Sequence, residues 1–146
     1  MKLLQMCDET PATATPDTTV AEAIQTMIDR RVGAVAVVDA EFKVVGIFSE
    51  RDVLKKLALS HEDPRQLKVS SVMTPHVEMA TNETTSIEAL NAMLESHFRH
   101  LPIVDKNGRL LGVLSIRNIL EAKIDELAQQ LESLEQYVSN DDNIGG

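Results

Sequence analysis

The chain has 146 residues, of which 43% are hydrophobic, 25% charged and 3% aromatic, with a net charge of −9 and a single cysteine. This length suits one compact domain or two small interdependent ones, with a core built from Val, Ile, Leu, Ala and Met. The acidity, with no basic stretch, argues against a nucleic-acid groove, which needs Lys and Arg to neutralise phosphates. One cysteine excludes an internal disulfide and fits a reducing compartment.

In chain order, Met1–Cys7 is too short for the apolar core of a signal peptide and runs into Asp8 and Glu9. No stretch approaches the length that spans a bilayer, so the expected setting is cytoplasmic, without membrane contact. Thr19 and Glu22 form a capping-box pattern ahead of Val20, Ala23, Ile24, Met27 and Ile28, which fall at helical spacing. The run Val35-Ala36-Val37-Val38 suits a strand buried on both faces. A turn over Asp39–Lys43 leads to a second strand, Val44–Phe48, and Ser49 opens another helix. Ser60–Arg65 reads as a polar loop.

From Thr81 the pattern returns. Residues 15–54 and 81–120 align at a constant offset of 66 without a gap. Thr85 and Glu88 repeat the capping box, and Ile87, Leu90, Met93 and Leu94 repeat the helical spacing. Leu101-Pro102-Ile103-Val104 repeats the buried strand. The turn Asp105–Arg109 contains Asn107-Gly108, a hairpin signal, and precedes the strand Leu110–Leu114. Ser115 stands where Ser49 stood. Each copy of about 60 residues would bury a marginal core alone, so the halves are expected to fold together as a pseudo-twofold pair with clefts between them.

The tail has no counterpart in the first copy. Leu120, Ile124, Leu127, Leu131, Leu134 and Val138 are spaced alternately four and three apart, a heptad seam on a helix expected to end near Val138. Two readings are open: an amphipathic helix lying on its own domain, or a seam for a dimer or partner. Ser139–Gly146 reads as a frayed polar end. The resulting division is 1–62, 63–122 and 123–146.

Two copies of strand–helix–strand–strand–helix carry Gly-x-x-Ser-x-x-Asp/Asn, as Gly46-Ile47-Phe48-Ser49-Glu50-Arg51-Asp52 and Gly112-Val113-Leu114-Ser115-Ile116-Arg117-Asn118. With Val72-Met73-Thr74 before the second copy and Phe98-Arg99-His100-Leu101-Pro102 within it, they resemble a tandem CBS (cystathionine-β-synthase) domain pair, or Bateman module. The resemblance runs from Met6 to about Ala122. It implies an α/β (α+β) fold of two β-α-β-β-α repeats about a pseudo-twofold axis, extended here by a C-terminal helix. It also implies a non-enzymatic regulatory module that binds AMP, ADP or ATP, with NAD or S-adenosylmethionine as alternatives. Such a module forms a homodimer and passes energy status to a partner protein.

The motif has a physical logic. Gly46 and Gly112 lack a Cβ, so a base or a backbone can come close. Ser49 begins a helix whose free N–H groups suit phosphate, and the Asp52 carboxylate suits ribose hydroxyls. Ser49 and Ser115 are equally ordinary N-caps, and Asp52 in a first turn favours the helix dipole. The copies differ: Asn118 replaces the carboxylate, while Arg99 and His100 stand where the first copy has Gly33 and Ala34. This asymmetry predicts one preferred site, with Ser49 and Asp52 on ribose and phosphate, and Arg99 and His100 approaching across the axis. Arg51, Ser115, Arg117 and Asn118 complete the candidate set, and the backbone of strands 34–37 and 101–103 is expected to read the adenine edge.

A rival reading is a structural dimerisation scaffold with vestigial clefts, favoured by Gly33, Ala34 and Asn118. Nucleotide hydrolysis or transfer needs a base, a metal site or a Gly-rich phosphate loop, and the sequence displays none. His97 and His100 lack a third ligand for a metal, and Cys7 has no evident base.

Overall fold

The computed structural model describes residues 2–7 and 10–145, with side chains to residue 139. The elements are α1 (Leu3–Met6), β1 (Thr13–Ala14), α2 (Val20–Arg30), β2 (Ala34–Val38), β3 (Val44–Ser49) and α3 (Glu50–Asp52), which continues as a π-turn over Val53–Leu57. A 3-10 turn (Val69–Ser71) leads to β4 (Thr74–Pro75), α4 (Ser86–Ser96), β5 (His100–Val104), β6 (Leu110–Ser115) and α5 (Ile116–Gly145).

The two copies form the same way, residue for residue. Thr19 and Thr85 cap α2 and α4 by accepting the amides of Glu22 and Glu88 at 3.2 and 3.1 Å. Arg31 and His97, again 66 apart, end those helices in the left-handed conformation. Asp39 and Asp105 each accept two backbone amides through Oδ1, from Glu41 and Lys43 and from Asn107 and Arg109, which closes the two hairpin turns. β2–β3 and β5–β6 are antiparallel, and their register shifts fall at the equivalent steps Val37/Val38 and Ile103/Val104.

In the first repeat the sheet order is β1-β2-β3-β4. In the second, β5 and β6 are joined by a single parallel bridge from Ala80 to Ile103, the counterpart of Ala14 beside Val37. The internal axis is visible where the hairpins meet. Lys43 bridges Arg109, its own counterpart; the Val44 amide donates to Gly108 and the Leu110 amide to Phe42, at 3.2 and 3.0 Å. These two bonds interchange when 66 is added to one residue and subtracted from the other, as a twofold demands.

β2 is buried on both faces, as its apolar run predicts. Val35 and Val37 pack with Val20, Met27 and Phe48, whereas Ala36 and Val38 meet Leu110 across the axis. The second core gathers Met93, Leu101, Ile103, Leu114 and Ile119. Each fully buried side chain of this size contributes about 1.5–3 kcal/mol.

The outermost layer of each core comes from the other side of the 62/63 division. Leu3 is fully buried in the second core, with Leu4, Met6 and Cys7 against it, while Val69, Val72 and Met73 complete the first. Leu3–Cys7 and Val69–Met73 are themselves 66 apart, so the repeat begins earlier than residue 15. Every strap precedes one repeat and covers the other. That exchange makes the halves interdependent, since neither buries its sheet without the other's strap.

The carbonyls of Pro64 and Leu67 accept the Ala21 and Val20 amides, so the linker occupies the head of α2. α5 passes the expected end at Val138 and runs to Gly145, because no Gly or Pro interrupts residues 139–144. Gly146 and the side chains beyond Ser139 lie outside the described residues, as do Met1, Asp8 and Glu9. Among the described residues no helix is long and apolar enough to cross a membrane.

Candidate functional site

β3 ends at Ser49 and the chain turns into α3, which presents the Ser49–Asp52 box. Asp52 is 6% exposed and is the buried charge of this region. Its Oδ2 accepts the Ser49 amide at 2.9 Å and the Ser49 hydroxyl at 3.3 Å. Its Oδ1 accepts the Thr74 hydroxyl at 3.2 Å and pairs with Lys56 Nζ at 3.1 Å, and that ammonium also donates to the Val72 carbonyl at 2.7 Å. A carboxylate offers about four lone-pair directions, so Asp52 is saturated from within the chain. A ribose hydroxyl gains it only by exchange, and Oδ1 is the side with an exposed cation as its partner.

The second copy builds the box without the charge. The Ser115 amide donates to Asn118 Oδ1 at 2.9 Å and the Asn118 amide to Ser115 Oγ at 3.0 Å, a reciprocal cap. Lys56 has Ala122 as its counterpart, so no ammonium bridges this box.

His100 opens β5 opposite Ser115, and its ring crosses the axis to lie over Gly33. A Cβ at Gly33 would stand 3.1 Å from both Nε2 and Cε1 of that ring and 3.4 Å from Glu50 Oε1. Glycine at 33 therefore makes room for the imidazole. Arg51 crosses the same boundary, its Nη1 donating to the carbonyl of His97. Glu50, Arg51, His97 and His100 thus converge at the head of α3, with exposed Arg99 next in chain to His100. The mirror position is different: Arg117 pairs with Glu121 on its own helix at 2.9 Å and does not cross.

Burial holds the His100 imidazole below its ordinary value of 6.5, and the positive charge of Arg99 pushes it the same way. The folded state then binds the proton less readily than the unfolded chain. The stability due to neutral His100 is complete above pH 6.5 and is lost as pH falls through the lower folded value. The melting temperature should therefore drop between pH 7.5 and 5.5 more steeply for the wild type than for His100→Gln. Parallel thermal melts at the two pH values test this, and equal slopes would remove His100 from the acid response.

The structure brings Ser49, Asp52, Arg51 and His100 to one corner, and leaves Ser115, Asn118 and Arg117 at the other. The expected reading of adenine by the 34–37 backbone is narrowed, because β2 is an inner strand whose Ala36 and Val37 are paired with both neighbours. Gly46 does receive a close backbone, that of Thr74. Lys56, Thr74, Glu50 and Gly33 also stand at this corner, outside the candidate set that the sequence supplies. Lys56 stands four positions after Asp52, a spacing that signals an ion pair; Thr74 belongs to the quoted Val-Met-Thr motif, but nothing local links it to Asp52. Beside this corner an open groove of about 410 Å³ runs between α2 and α3, lined by Ile24, Met27, Ile28, Arg31, Val32, Glu50 and Val53. It belongs to the first repeat alone. No group of three metal-ligating side chains occurs among the described residues.

The family model for the CBS domain matches residues 5–59 and again 69–125. An uncharacterised 17.7 kDa protein of Acidianus ambivalens is 41% identical over 110 residues, covering 75% of this chain and 65% of its own. The mitochondrial CBS domain-containing protein CBSX3 of Arabidopsis thaliana is 30% identical over 128 residues, covering 85% of this chain and 62% of its own. The chain thus spans a little under two thirds of the length of these relatives. Among solved structures, CBSX2 in complex with AMP superposes with a TM-score of 0.74 at 24% identity, covering 85% of this chain and 97% of that one. The CBS domain pair of protein MJ0100, in complex with 5′-methylthioadenosine and S-adenosyl-L-methionine, gives 0.77 at 21% identity, covering 86% and 98%.

Proposed function

The chain belongs to the CBS-domain family, as a tandem pair, and on that premise we propose that it is a non-catalytic regulatory module for an adenosine-containing ligand. AMP, ADP or ATP binds at the head of α3, between the two repeats, and a cytoplasmic partner protein reads the result. The observation that carries this reading is the crossing of His100 over Gly33, which sets its imidazole beside the guanidinium charges of Arg51 and Arg99 at one of two symmetry-related corners. The solved complexes of CBSX2 with AMP and of the MJ0100 pair with S-adenosyl-L-methionine support the adenosine class. Charge then favours a phosphate-bearing ligand, because the sulfonium and ammonium of S-adenosylmethionine offset what its one carboxylate gains from arginines.

Binding there touches both halves, α3 of the first repeat and β5 of the second. It shifts the angle between them only by its differential affinity for the two arrangements. The reading includes a homodimer. Ile28 and Leu94, and Leu54 and Leu120, are pairs 66 apart, and all four are exposed. The internal axis therefore carries two matching apolar faces, which a second copy covers.

Calorimetric titration of the ligand-stripped chain with AMP, ADP, ATP, NAD and S-adenosylmethionine tests the assignment. Saturable binding of an adenine nucleotide is expected, weakened at least tenfold by His100→Ala. Silence from all five ligands would favour the structural scaffold, whose supporting residues are Gly33, Ala34 and Asn118.

A further inference from the structure

α5 is docked only by its first turns. Ile119 is fully buried and Ile116 packs on the second core, yet every side chain from Ile124 to Ser139 is exposed. Leu127, Leu131 and Leu134 are 63, 58 and 59% exposed, values of a helix with nothing against it. The chain's own cores leave this stripe uncovered, although in proteins a helix draws most of its stability from packing its apolar face.

We propose that α5 beyond Ala122 pairs with the same helix of a second copy as a parallel two-stranded coiled coil, setting the two modules head to head. The inference deepens the homodimer reading above and does not depend on the ligand. Three features of the helix choose this occupant. The stripe is a strict seam, with period 3.5, narrower than the face by which a helix covers a globular core. Its a positions are Ile124, Leu131 and Val138, and its d positions Leu120, Leu127 and Leu134. In a parallel coil, β-branched residues at two of three a positions with leucine throughout d favour two strands.

The flanks decide the direction. The e positions hold Glu121, Ala128 and Glu135, and the g positions Lys123, Gln130 and Tyr137. In a parallel pair each g residue faces the next e residue of the other copy, giving Lys123 with Ala128 and Gln130 with Glu135, without a like-charge contact. An antiparallel pair sets e against e and brings Glu121 to Glu135 twice. Asp125, Glu126 and Glu132 fall on the outer b and c positions, where they remain solvated.

The seam is also continuous with the module. Leu120 is both its first d residue and the counterpart of Leu54 on the apolar face, so coil and module face form one surface. Leu120 to Val138 spans about 27 Å at 1.5 Å per residue, fewer than three heptads, so the coil acts together with that face. Because both helices leave from second repeats, a parallel coil requires those repeats to be neighbours.

Single cysteines in the full chain test the arrangement. In a Cys7→Ser background, Leu127→Cys and Leu134→Cys should each form a disulfide-linked dimer with itself under mild oxidation, since parallel d positions oppose their own copies. An antiparallel coil would instead link Leu127→Cys to Leu131→Cys in a mixture and neither to itself, which would overturn the proposal. Sedimentation equilibrium of Leu131→Asp should show the dimer dissociation constant raised at least a hundredfold. A dimer untouched by Leu131→Asp, with no self-linkage, sinks the coil and spares the homodimer; a monomeric wild type sinks both.

Discussion

Asp52→Ala should lower the melting temperature by about 6–12 °C and abolish measurable nucleotide binding. Removing the carboxylate orphans the Ser49 amide and hydroxyl and the Thr74 hydroxyl together. Unsatisfied groups at a part-buried site cost about 1–3 kcal/mol, and the total is set at about 2–3 kcal/mol because a small side chain readmits some water. Lys56, 40% exposed, adds little, since its ammonium returns to solvent. Asp52→Asn restores the box as it stands in the second repeat around Asn118, so it should recover most of the stability. It should not recover the affinity, because a neutral amide oxygen is a weaker acceptor for ribose than a carboxylate. Chemical denaturation and calorimetry on the three proteins separate the two effects. Undiminished binding by Asp52→Ala would move the site away from α3.

A stability loss of comparable size, about 3 kcal/mol, is expected from Gly46→Val. A Cβ at Gly46 would stand 2.7 Å from the sulfur of Met73 and 2.9 Å from the carbonyl oxygen of Thr74. The methionine end can swing aside. The carbonyl cannot, because Thr74 and Pro75 are paired with Ile47 and Gly46 in the β3–β4 ladder. Valine must prise β4 from β3, which also withdraws Thr74 from Asp52. Gly112 occupies the same place in the second repeat, yet its nearest neighbours are Leu4 Cδ2 at 3.2 Å and Cys7 Sγ at 3.3 Å, the ends of side chains. Gly112→Ala should therefore cost under about 1 kcal/mol. Denaturant midpoints of Gly46→Ala and Gly112→Ala check the contrast with one and the same side chain, and equal losses would show that strap and ladder yield alike.

The two glycines show how far sequence reasoning reaches. A glycine at the third strand of each copy signals close approach, and sequence admits either a ligand or a backbone there. Tertiary structure puts the Thr74 carbonyl at one and the α1 strap at the other. His100 behaves likewise. Its contrast with Ala34 was legible as an asymmetry between copies, and its candidacy for the site followed. Its contact with Gly33 was not legible, because the two residues are 67 positions apart and meet only when the halves close about their axis.

What the sequence determined by itself is everything that repeats locally. The caps at Thr19 and Thr85, the helical spacing behind them, the doubly buried strands, the hairpin turns and the 66-residue offset are set by interactions within a few residues. Hydrogen bonding and periodicity act at that range, so the family, the fold class and the internal twofold were all readable. What only the tertiary structure decided is how those pieces meet: the exchanged straps, the contact of Thr74 with Asp52, and the gathering of Arg51 and His100 at one corner. These contacts join segments from opposite repeats, or strands many residues apart. Their geometry follows from closing two sheets over a shared core, a step that no local pattern records.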